Sequence, residues 1–253
     1  MNKNYIVSLL EKDIRDGRKL DEFREIEVET GVSKNAEGSA RVKIGDTEVI
    51  AGIKMDVGTP FADSPDSGVL MVGVELLPLS SPDFETGPPG KDAVELARIV
   101  DRGIRESKMI DMGKLCITKG EAVWMIFIDI YTINDDGNLI DASALASLMA
   151  LKSAVFPKLD GDKVKFGEFT KNRLPLTRLP VTCTLYKIKD KIIIDPNLDE
   201  QKAVDARLTV AISEDGNLNA MQKGGLMGLD IETIDLMIKM AGNQIKNLRK
   251  YIK

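Results

Sequence analysis

The stretch from Trp124 to Pro157 constrains the fold of this chain most. From Ala122 to Ile128 the residues are apolar without polar alternation, which is typical of a strand that is covered on both faces. Turn-forming Asn, Asp and Gly residues follow at 134–138. The pattern of residues 142–156 then predicts a helix that ends before the proline. The sequence therefore predicts a central strand, a tight turn and a buried helix.

The turn between this strand and this helix has the architecture of an anion site. Unpaired backbone N–H groups and the helix dipole point at such a turn and favour a phosphate. Its side chains do not favour one, because Asp135, Asp136 and Asp141 are acidic and no Lys or Arg lies between Trp124 and Ala150. From the residues alone we interpret it as a core connection, with Asn138 or Asp141 as the helix cap.

Composition narrows the possible chemistry. The 253 residues are 43% hydrophobic, which is enough for one large domain or two fused halves with a full core. The absence of histidine excludes triads, zinc sites and general bases that use histidine, so any chemistry here would need carboxylates, Lys, Arg or Ser. The formal charge of −5 argues against non-specific coating of nucleic acid, although a local basic stripe remains compatible with it.

Cysteine use and hydropathy bear on the compartment. Cys116 and Cys183 lie far apart and form no CxxC motif, which indicates a reducing environment. The N-terminus shows no signal-peptide pattern, and the 142–156 helix is too short and too interrupted to span a bilayer. We expect a cytoplasmic protein that makes no membrane contact.

The N-terminal half reads as strands followed by a helix. After a short helix at 4–13, strands are predicted at 23–30, 39–44, 47–56 and 68–78, and we expect four antiparallel neighbours. Gly45-Asp46 is a strong hairpin signal between the second and the third. A helix then runs from 93 to about Lys108, with Asp92 as N-cap and Glu95 three residues later. Its buried stripe is predicted to contain Leu96, Ile99, Val100 and Ile104.

Three arginines lie on one face of that helix. Arg98, Arg102 and Arg105 fall at positions i, i+4 and i+7, within roughly 60° on the helical wheel. One interpretation is an ordinary solvated face, with Asp101 as a partner. The other is an anion site, because the like-charged Arg98–Arg102 pair costs a few tenths of a kcal/mol and Gly103 about 1 kcal/mol of helix propensity. An anion along this face would offset both costs.

The C-terminal half repeats the order of strands and then a helix. Residues 158–172 read as a loop with a short strand near 163–166, followed by two strands joined at Lys189-Asp190. Further strands are predicted from Asp205 and within 217–225, and the terminal helix is capped at Asp230. We predict a single α+β unit, a duplicated antiparallel sheet with helices on one face, in halves of about 20–157 and 158–253.

Several strings together resemble the RNase PH family of phosphate-dependent 3′→5′ exoribonucleases, and in particular its non-catalytic members in the archaeal exosome. The resemblance covers essentially the whole chain and implies the RNase PH-like fold of the ribosomal-protein-like β-α superfamily. The strings are RDGRKLDEFREI (15–26), GDTEVIAGIK (45–54), ELARIVDRGIRES (95–107), WMIFIDIYTINDDGNLIDASALA (124–146) and IIIDPNLDEQKAVD (192–205).

The resemblance also indicates what this chain lacks. In active members the turn after the central strand resembles Asp-Gly-Gly-Thr/Ser-Arg, whose hydroxyl and arginine hold the attacking phosphate. Here Leu139 stands where the hydroxyl belongs and Ile140 where the arginine belongs. Isoleucine supplies neither charge nor donor, so this turn is not expected to catalyse phosphorolysis, and we predict no catalytic residue, metal or cofactor in this chain. Asp199 and Asp205 keep the six-residue separation of a paired-aspartate motif, and Asp205 reads most simply as a structural carboxylate.

A ring subunit is the role that the resemblance implies. Such a chain pairs with a catalytic RNase PH-like homologue, and three pairs close into a hexameric ring that carries RNA-binding cap subunits and degrades single-stranded RNA. Arg98 and Arg102 match the arginines that the non-catalytic subunit offers to RNA, and Arg105 is added from the shared helix face. The alternatives are an active phosphorolytic exoribonuclease and an unrelated α+β domain with a solvated arginine stripe.

Overall fold

The computed structural model describes residues 3–161 and 163–252, which fold into five α-helices and twelve β-strands. The helices are α1 (Lys3–Glu11), α2 (Lys91–Glu106), α3 (Leu139–Ser153), α4 (Leu198–Lys202) and α5 (Ile231–Leu248). The strands are β1 (Ile26–Thr30), β2 (Gly38–Ile44), β3 (Thr47–Gly58), β4 (Val69–Glu75), β5 (Cys116–Thr118), β6 (Ala122–Asn134), β7 (Val155–Asp160), β8 (Lys163–Arg173), β9 (Val181–Ile188), β10 (Lys191–Ile194), β11 (Ala206–Ile212) and β12 (Leu218–Gly225).

The N-terminal strands form a mixed sheet in the order β1-β2-β3-β6-β4, with β5 paired to β6. The predicted central strand is confirmed, since β6 lies between β3 and β4. The prediction of four antiparallel neighbours is wrong for β4, which runs parallel to β6 at the edge of the sheet. The more apolar β6 takes the interior position next to β3 and separates β4 from it.

The two faces of β6 are not covered equally. Ile126, Ile128 and Ile130 are buried, whereas Met125 and Phe127 on the other face are only partly buried. The expectation that both faces are covered is therefore wrong within this chain. The second face is partly buried and also carries apolar residues. Burial therefore alternates along β6, whereas hydrophobicity does not, and the sequence alone does not reveal the alternation.

The C-terminal strands form an antiparallel sheet in the order β10-β9-β11-β12. The predicted hairpin is confirmed, with Lys189 at a φ of 52° in the turn between β9 and β10. A short helix, α4, was not expected between β10 and β11. Asn197 accepts a hydrogen bond from the backbone of Glu200, whose side chain accepts one from the Asn197 N–H, and this capping box starts α4.

A separate two-stranded hairpin, β7–β8, occupies most of the segment predicted as a loop at 158–172. Residue 162 of that segment lies outside the described residues. The β8 residues are largely exposed, so hydrophobic alternation is weak, and the strand is fixed instead by its pairing with β7. The boundary drawn between the two halves at 157/158 falls within β7.

Helix α3 lies between the two sheets and packs against β2, β3 and β9. It begins at Leu139 rather than Ala142, because the residue at the N-cap is Asn138 in a left-handed conformation. Small residues allow close approach, and a Cβ on Gly38 of β2 would lie 2.3 Å from the Ala150 carbonyl oxygen. One continuous hydrophobic cluster includes residues from both sheets and from α3, so the halves share a core.

The other two long helices follow the predicted patterns with one difference. Leu96, Ile99, Val100 and Ile104 of α2 are buried as predicted. Gly90 is at the N-cap of α2 and Asp92 lies in the first turn without capping, because the helix begins directly after the Pro-Pro-Gly segment. Asp230 caps α5 by accepting a hydrogen bond from the Thr233 N–H at 2.7 Å. Among the described residues, no helix has the length and apolar character needed to cross a bilayer.

Candidate nucleic-acid interface and the turn at the start of α3

The structure places the three predicted arginines on the exposed side of α2 and divides them by environment. The side chains of Arg98 and Arg102 make no hydrogen bond or ion pair with any residue that the structure describes. Arg98 borders a groove beside β4, and Arg102 borders a shallow groove beside β11 and β12. These two guanidinium groups are therefore open to an anionic partner.

Arg105 is already engaged within the chain. It donates two hydrogen bonds to the carboxylate of Asp101, at 2.7 and 3.1 Å, and a third to the Leu70 carbonyl oxygen at 3.1 Å. The hydrogen bonds with Asp101 raise the pKa of Arg105. The interpretation as a solvated, internally paired face thus describes Arg105, whereas the anion-site interpretation keeps its support at Arg98 and Arg102.

Gly103 is not required by packing. It is buried where α2 faces the second sheet, and a Cβ there would lie 3.6 Å from the Thr182 hydroxyl and 3.7 Å from the Ala211 Cβ. These are ordinary van der Waals distances, so an alanine would fit. The anion-site interpretation of this helix face therefore rests on the two unpaired arginines, Arg98 and Arg102.

The turn before α3 keeps the backbone form of an anion-binding turn. Gly137 has a φ of 83° and Asn138 a φ of 57°, and a Cβ on Gly137 would lie 2.5 Å from the Pro196 carbonyl oxygen. Internal groups hold it: the Thr47 hydroxyl donates to the Gly137 carbonyl at 2.6 Å, and the Asp135 carboxylate accepts from the Gly137 N–H at 3.0 Å. A side-chain carboxylate thus occupies a backbone donor of this turn.

Leu139 and Ile140, which the sequence comparison placed in the turn, are the first two residues of α3. Both are partly buried and line a cavity of about 300 Å³. The same cavity is lined by the carboxylates of Asp92, Glu95 and Asp135, and its cation, Arg207, forms an ion pair with Glu95 at 2.7 Å. Neither Leu139 nor Ile140 supplies a charge or a hydrogen-bond donor from its side chain to this cavity.

A buried charge network beneath this turn was missed by reasoning from sequence. Arg24 donates to Asp195 at 2.8 and 2.9 Å, to the Asp136 carboxylate at 2.9 Å and to the Gly137 carbonyl at 3.2 Å. Asp195 is completely buried and also receives Arg18 at 3.0 Å. The signal was present in the strings 15–26 and 192–205, whose charged residues meet in this network.

Asn138 and Asp141 are neighbours in the core. Asn138 occupies the N-cap position of α3, as one of the two alternatives predicts, but no side-chain hydrogen bond caps the helix. The Asn138 amide donates to Asp195 at 2.9 Å and to Asp141 at 3.2 Å, and its oxygen accepts from Tyr186. Burial raises the pKa of Asp141 to about 7, against the opposing hydrogen bonds from Thr184 and Asn138. This carboxyl group therefore titrates close to neutrality.

The two late aspartates lie in different surroundings. Asp205 accepts from the Lys189 N–H at 2.7 Å and pairs with Lys3, so it is the structural carboxylate that the sequence suggested. Asp199 lies in the first turn of α4. Among the residues that the structure describes, no group of three or more His, Cys, Asp or Glu side chains is arranged to hold a metal ion.

Comparison with known proteins identifies relatives over the full length. The chain is 47% identical over 254 residues to the exosome complex component Rrp42 of Methanocella arvoryzae, covering 100% of this chain and 96% of that protein. It superposes with a TM-score of 0.91 and 43% identity on a chain of the Archaeoglobus fulgidus exosome with RNA bound to the active site, covering 99% and 97% of the two chains. It superposes on a chain of an archaeal exosome core with a TM-score of 0.86 and 40% identity, covering 99% of this chain and 96% of that chain.

Family models agree with these relatives. Domain 1 of the 3′ exoribonuclease family matches residues 22–157, and domain 2 matches residues 178–244. These matches confirm the resemblance to the RNase PH family that the sequence strings indicate. Because the two family models cover most of the sequence and a full-length relative shares nearly half of its residues, this chain belongs to the 3′ exoribonuclease, or RNase PH, family.

Proposed function

We propose that this chain is a non-catalytic subunit of an archaeal RNA exosome. It pairs with a catalytic RNase PH-like homologue in a hexameric ring, binds RNA and helps to structure the active site of its partner. The observation that carries the proposal is the start of α3, where Leu139 and Ile140 stand in place of a phosphate-binding hydroxyl and arginine. Full-length relatives named exosome component Rrp42 support the assembly.

The chemistry of phosphorolysis explains why these two side chains matter. The reaction requires inorganic phosphate to be held and oriented against the scissile bond, and positioning of this kind supplies much of the rate enhancement. A bidentate arginine is the usual device for it. Here the first turn of α3 offers apolar side chains, and the nearby guanidinium of Arg207 is paired with Glu95. The chain therefore leaves phosphate binding to its partner.

RNA contact is assigned to α2. Arg98 and Arg102 are exposed, positively charged and without an intramolecular partner among the described residues, so both can contact phosphates of a single strand. Such contacts grip the backbone without reading bases. Arg105 contributes less, because its guanidinium is held by Asp101.

The proposal also includes further subunits and a cellular location. Cap subunits that bind RNA are expected on the ring, and the cytoplasm is the expected compartment. A ring of alternating subunits also gives each non-catalytic chain a direct neighbour whose active site it can support.

The test is co-expression with a catalytic RNase PH-like homologue, followed by native mass measurement and RNA filter binding across a range of salt concentrations. We expect a complex of three pairs. Arg98→Glu with Arg102→Glu should weaken RNA retention and reduce the salt slope by about 1.4, at about 0.7 for each lost phosphate contact on a single strand.

A matched control separates local contact from net charge. Lys246→Glu with Lys250→Glu makes the same change in charge, at the same i, i+4 spacing, at the other end of the chain. We expect this control assembly to bind RNA like the wild type. Unchanged affinity and salt slope in the arginine variant, or failure to form a complex with the homologue, would contradict the proposal.

A further inference from the structure

The cavity at the start of α3 has no task in the proposed function. It measures about 300 Å³ and lies between α2, the first turn of α3, α4 and the β11–β12 edge of the second sheet. Small-molecule sites are typically concave, of roughly 300–1,000 Å³, mostly apolar and supplied with a few polar groups. This cavity meets that description in size and in lining.

Its inner surface is apolar. Leu76, Phe84 and Ile99 contribute side chains to it, together with Leu139 and Ile140 from α3. Burying an apolar body against such a surface contributes roughly 25 cal/mol for each Å² removed from water. A ligand without an apolar part would gain nothing from most of this lining, so inorganic ions are a poor fit.

Its polar groups are predominantly anionic. Three carboxylates, those of Asp92, Glu95 and Asp135, face a single lining cation, Arg207. Arg207 is paired with Glu95, so these two charges offset each other and leave two carboxylates without a lining counterion. Burial raises the pKa of Asp135, and the Gly137 N–H and the cations Lys202 and Arg24 oppose this rise only in part.

Two further cations, Lys202 and Arg24, act on Asp135 from outside the lining. Lys202 is paired with Asp83 at 3.3 Å, and Arg24 is held by Asp195 and Asp136. Both cations are thus largely offset by carboxylates of their own. The lining side chains therefore carry an excess of negative charge, which favours a cation over an anion such as phosphate.

We propose that this cavity binds a small organic cation, a primary amine with a short apolar body. The body lies against the Ile99 and Ile140 side chains, and the ammonium group is held by Asp92 and Asp135. This site is independent of RNA retention by α2.

The test uses phenethylamine as the probe, with phenethyl alcohol and 3-phenylpropionate as neutral and anionic analogues of the same body. Each is titrated into the isotopically labelled full-length chain while backbone amide signals are recorded. We expect saturable shifts centred on Leu139, Ile140 and Gly225 with the amine, at a dissociation constant near a millimolar for a ligand of this size. The alcohol should bind about tenfold more weakly, and the acid should not bind.

Variants assign the charge to particular carboxylates. Asp92→Asn and Asp135→Asn should each weaken amine binding about tenfold, as expected for loss of one charge-assisted hydrogen bond. Glu232→Gln, in the first turn of α5, is the control for removal of a carboxylate from the start of a helix. Equal binding of amine and alcohol, preferred binding of the acid, or no effect of either cavity variant would overturn the proposal.

The same titration on the co-purified assembly tests accessibility. We expect the amine to bind the ring as it binds the chain alone. If ring formation abolishes amine binding while RNA retention is normal, the cavity is filled by the neighbouring subunit and the ligand-site proposal fails, with the proposed function unaffected.

Discussion

At the scale of single residues, the proposed function depends on the two side chains that begin α3. Leu139 and Ile140 offer no donor or charge for a phosphate, while Gly137 and Asn138 form a left-handed turn directly before them. The turn persists because Arg24, Thr47 and Asp135 hold its backbone from within the chain. Its shape is therefore stabilised independently of any bound anion.

Asp141 makes stability depend on pH near neutrality. Burial raises its pKa from an ordinary value of 3.8 to about 7, so the folded chain keeps a proton that the unfolded chain has released. The contribution of this group to stability is complete below about pH 4 and is lost as the pH rises towards 7. Asp141→Asn cannot release a proton, so we expect the free energy of unfolding of this variant to fall less between pH 4.5 and 7.5.

Urea denaturation at several pH values checks this expectation. The asparagine can keep the hydrogen bond from the Thr184 N–H and donate to the Thr184 hydroxyl, which has Thr209 as a further partner at 3.0 Å. The exposed Asp66→Asn variant serves as the control. Parallel pH profiles for wild type and Asp141→Asn would show that this carboxyl group does not titrate in that range.

Gly103 offers a second test at the level of one residue. A Cβ there meets only ordinary contacts, so Gly103→Ala should raise the free energy of unfolding by up to about 1 kcal/mol through helix propensity. Gly137→Ala should lower it, because that residue has a positive φ and its Cβ would approach the Pro196 carbonyl at 2.5 Å. Chemical denaturation compares the two. Destabilisation by Gly103→Ala would mean that α2 needs a closer approach than the structure shows.

At the scale of secondary-structure elements, the N-terminal segment is tied to the second sheet by a buried ion pair. The Arg15 side chain is fully buried and donates to both carboxylate oxygens of Glu200, at 2.7 and 2.9 Å. It also donates to the Ile194 and Asp195 carbonyl oxygens. This contact joins the segment before β1 to α4 and β10.

Removing one member of this pair should be costly. Arg15→Met leaves Glu200 buried without its partner, and we expect a loss of about 3–5 kcal/mol in the free energy of unfolding. The double variant Arg15→Met with Glu200→Met should lose less than the sum of the two single variants. Urea midpoints for the four proteins of this cycle give the coupling. Additive losses would indicate that the pair contributes no interaction of its own.

Elements with a strong pattern were predictable, and those fixed by pairing were not. The continuous apolar run of β6, the stripe of α2 and the cap at Asp230 each carry a local signal that the structure confirms. β8 and α4 carry weak patterns, because β8 is mostly exposed and α4 is a five-residue turn fixed by its capping box. The parallel pairing of β4 depends on which strand lies beside it, and no local pattern encodes that choice.

At the scale of the whole molecule, the α+β class and the order of the main strands and long helices could be predicted from the sequence, because both follow from local periodicity. The meeting of segments 15–24 and 195–200 beneath the turn could not, since it depends on contacts between residues more than 100 positions apart. The candidate site likewise has parts that the sequence predicts and parts that only the structure reveals. Leu139 and Ile140 were identified by position, whereas the cavity and the engagement of Arg105 required the structure.

The central claim is that this chain has given up phosphorolysis and acts through a catalytic partner. The most direct measurement is release of nucleoside diphosphates from single-stranded RNA in the presence of Mg²⁺ and inorganic phosphate, by the purified chain alone and by its assembly with the catalytic homologue. We expect no release from the chain alone and release from the assembly, unchanged when Leu139 and Ile140 are both replaced by Ala. Nucleoside diphosphates produced by the chain alone, or loss of assembly activity on that replacement with the ring intact, would contradict the account.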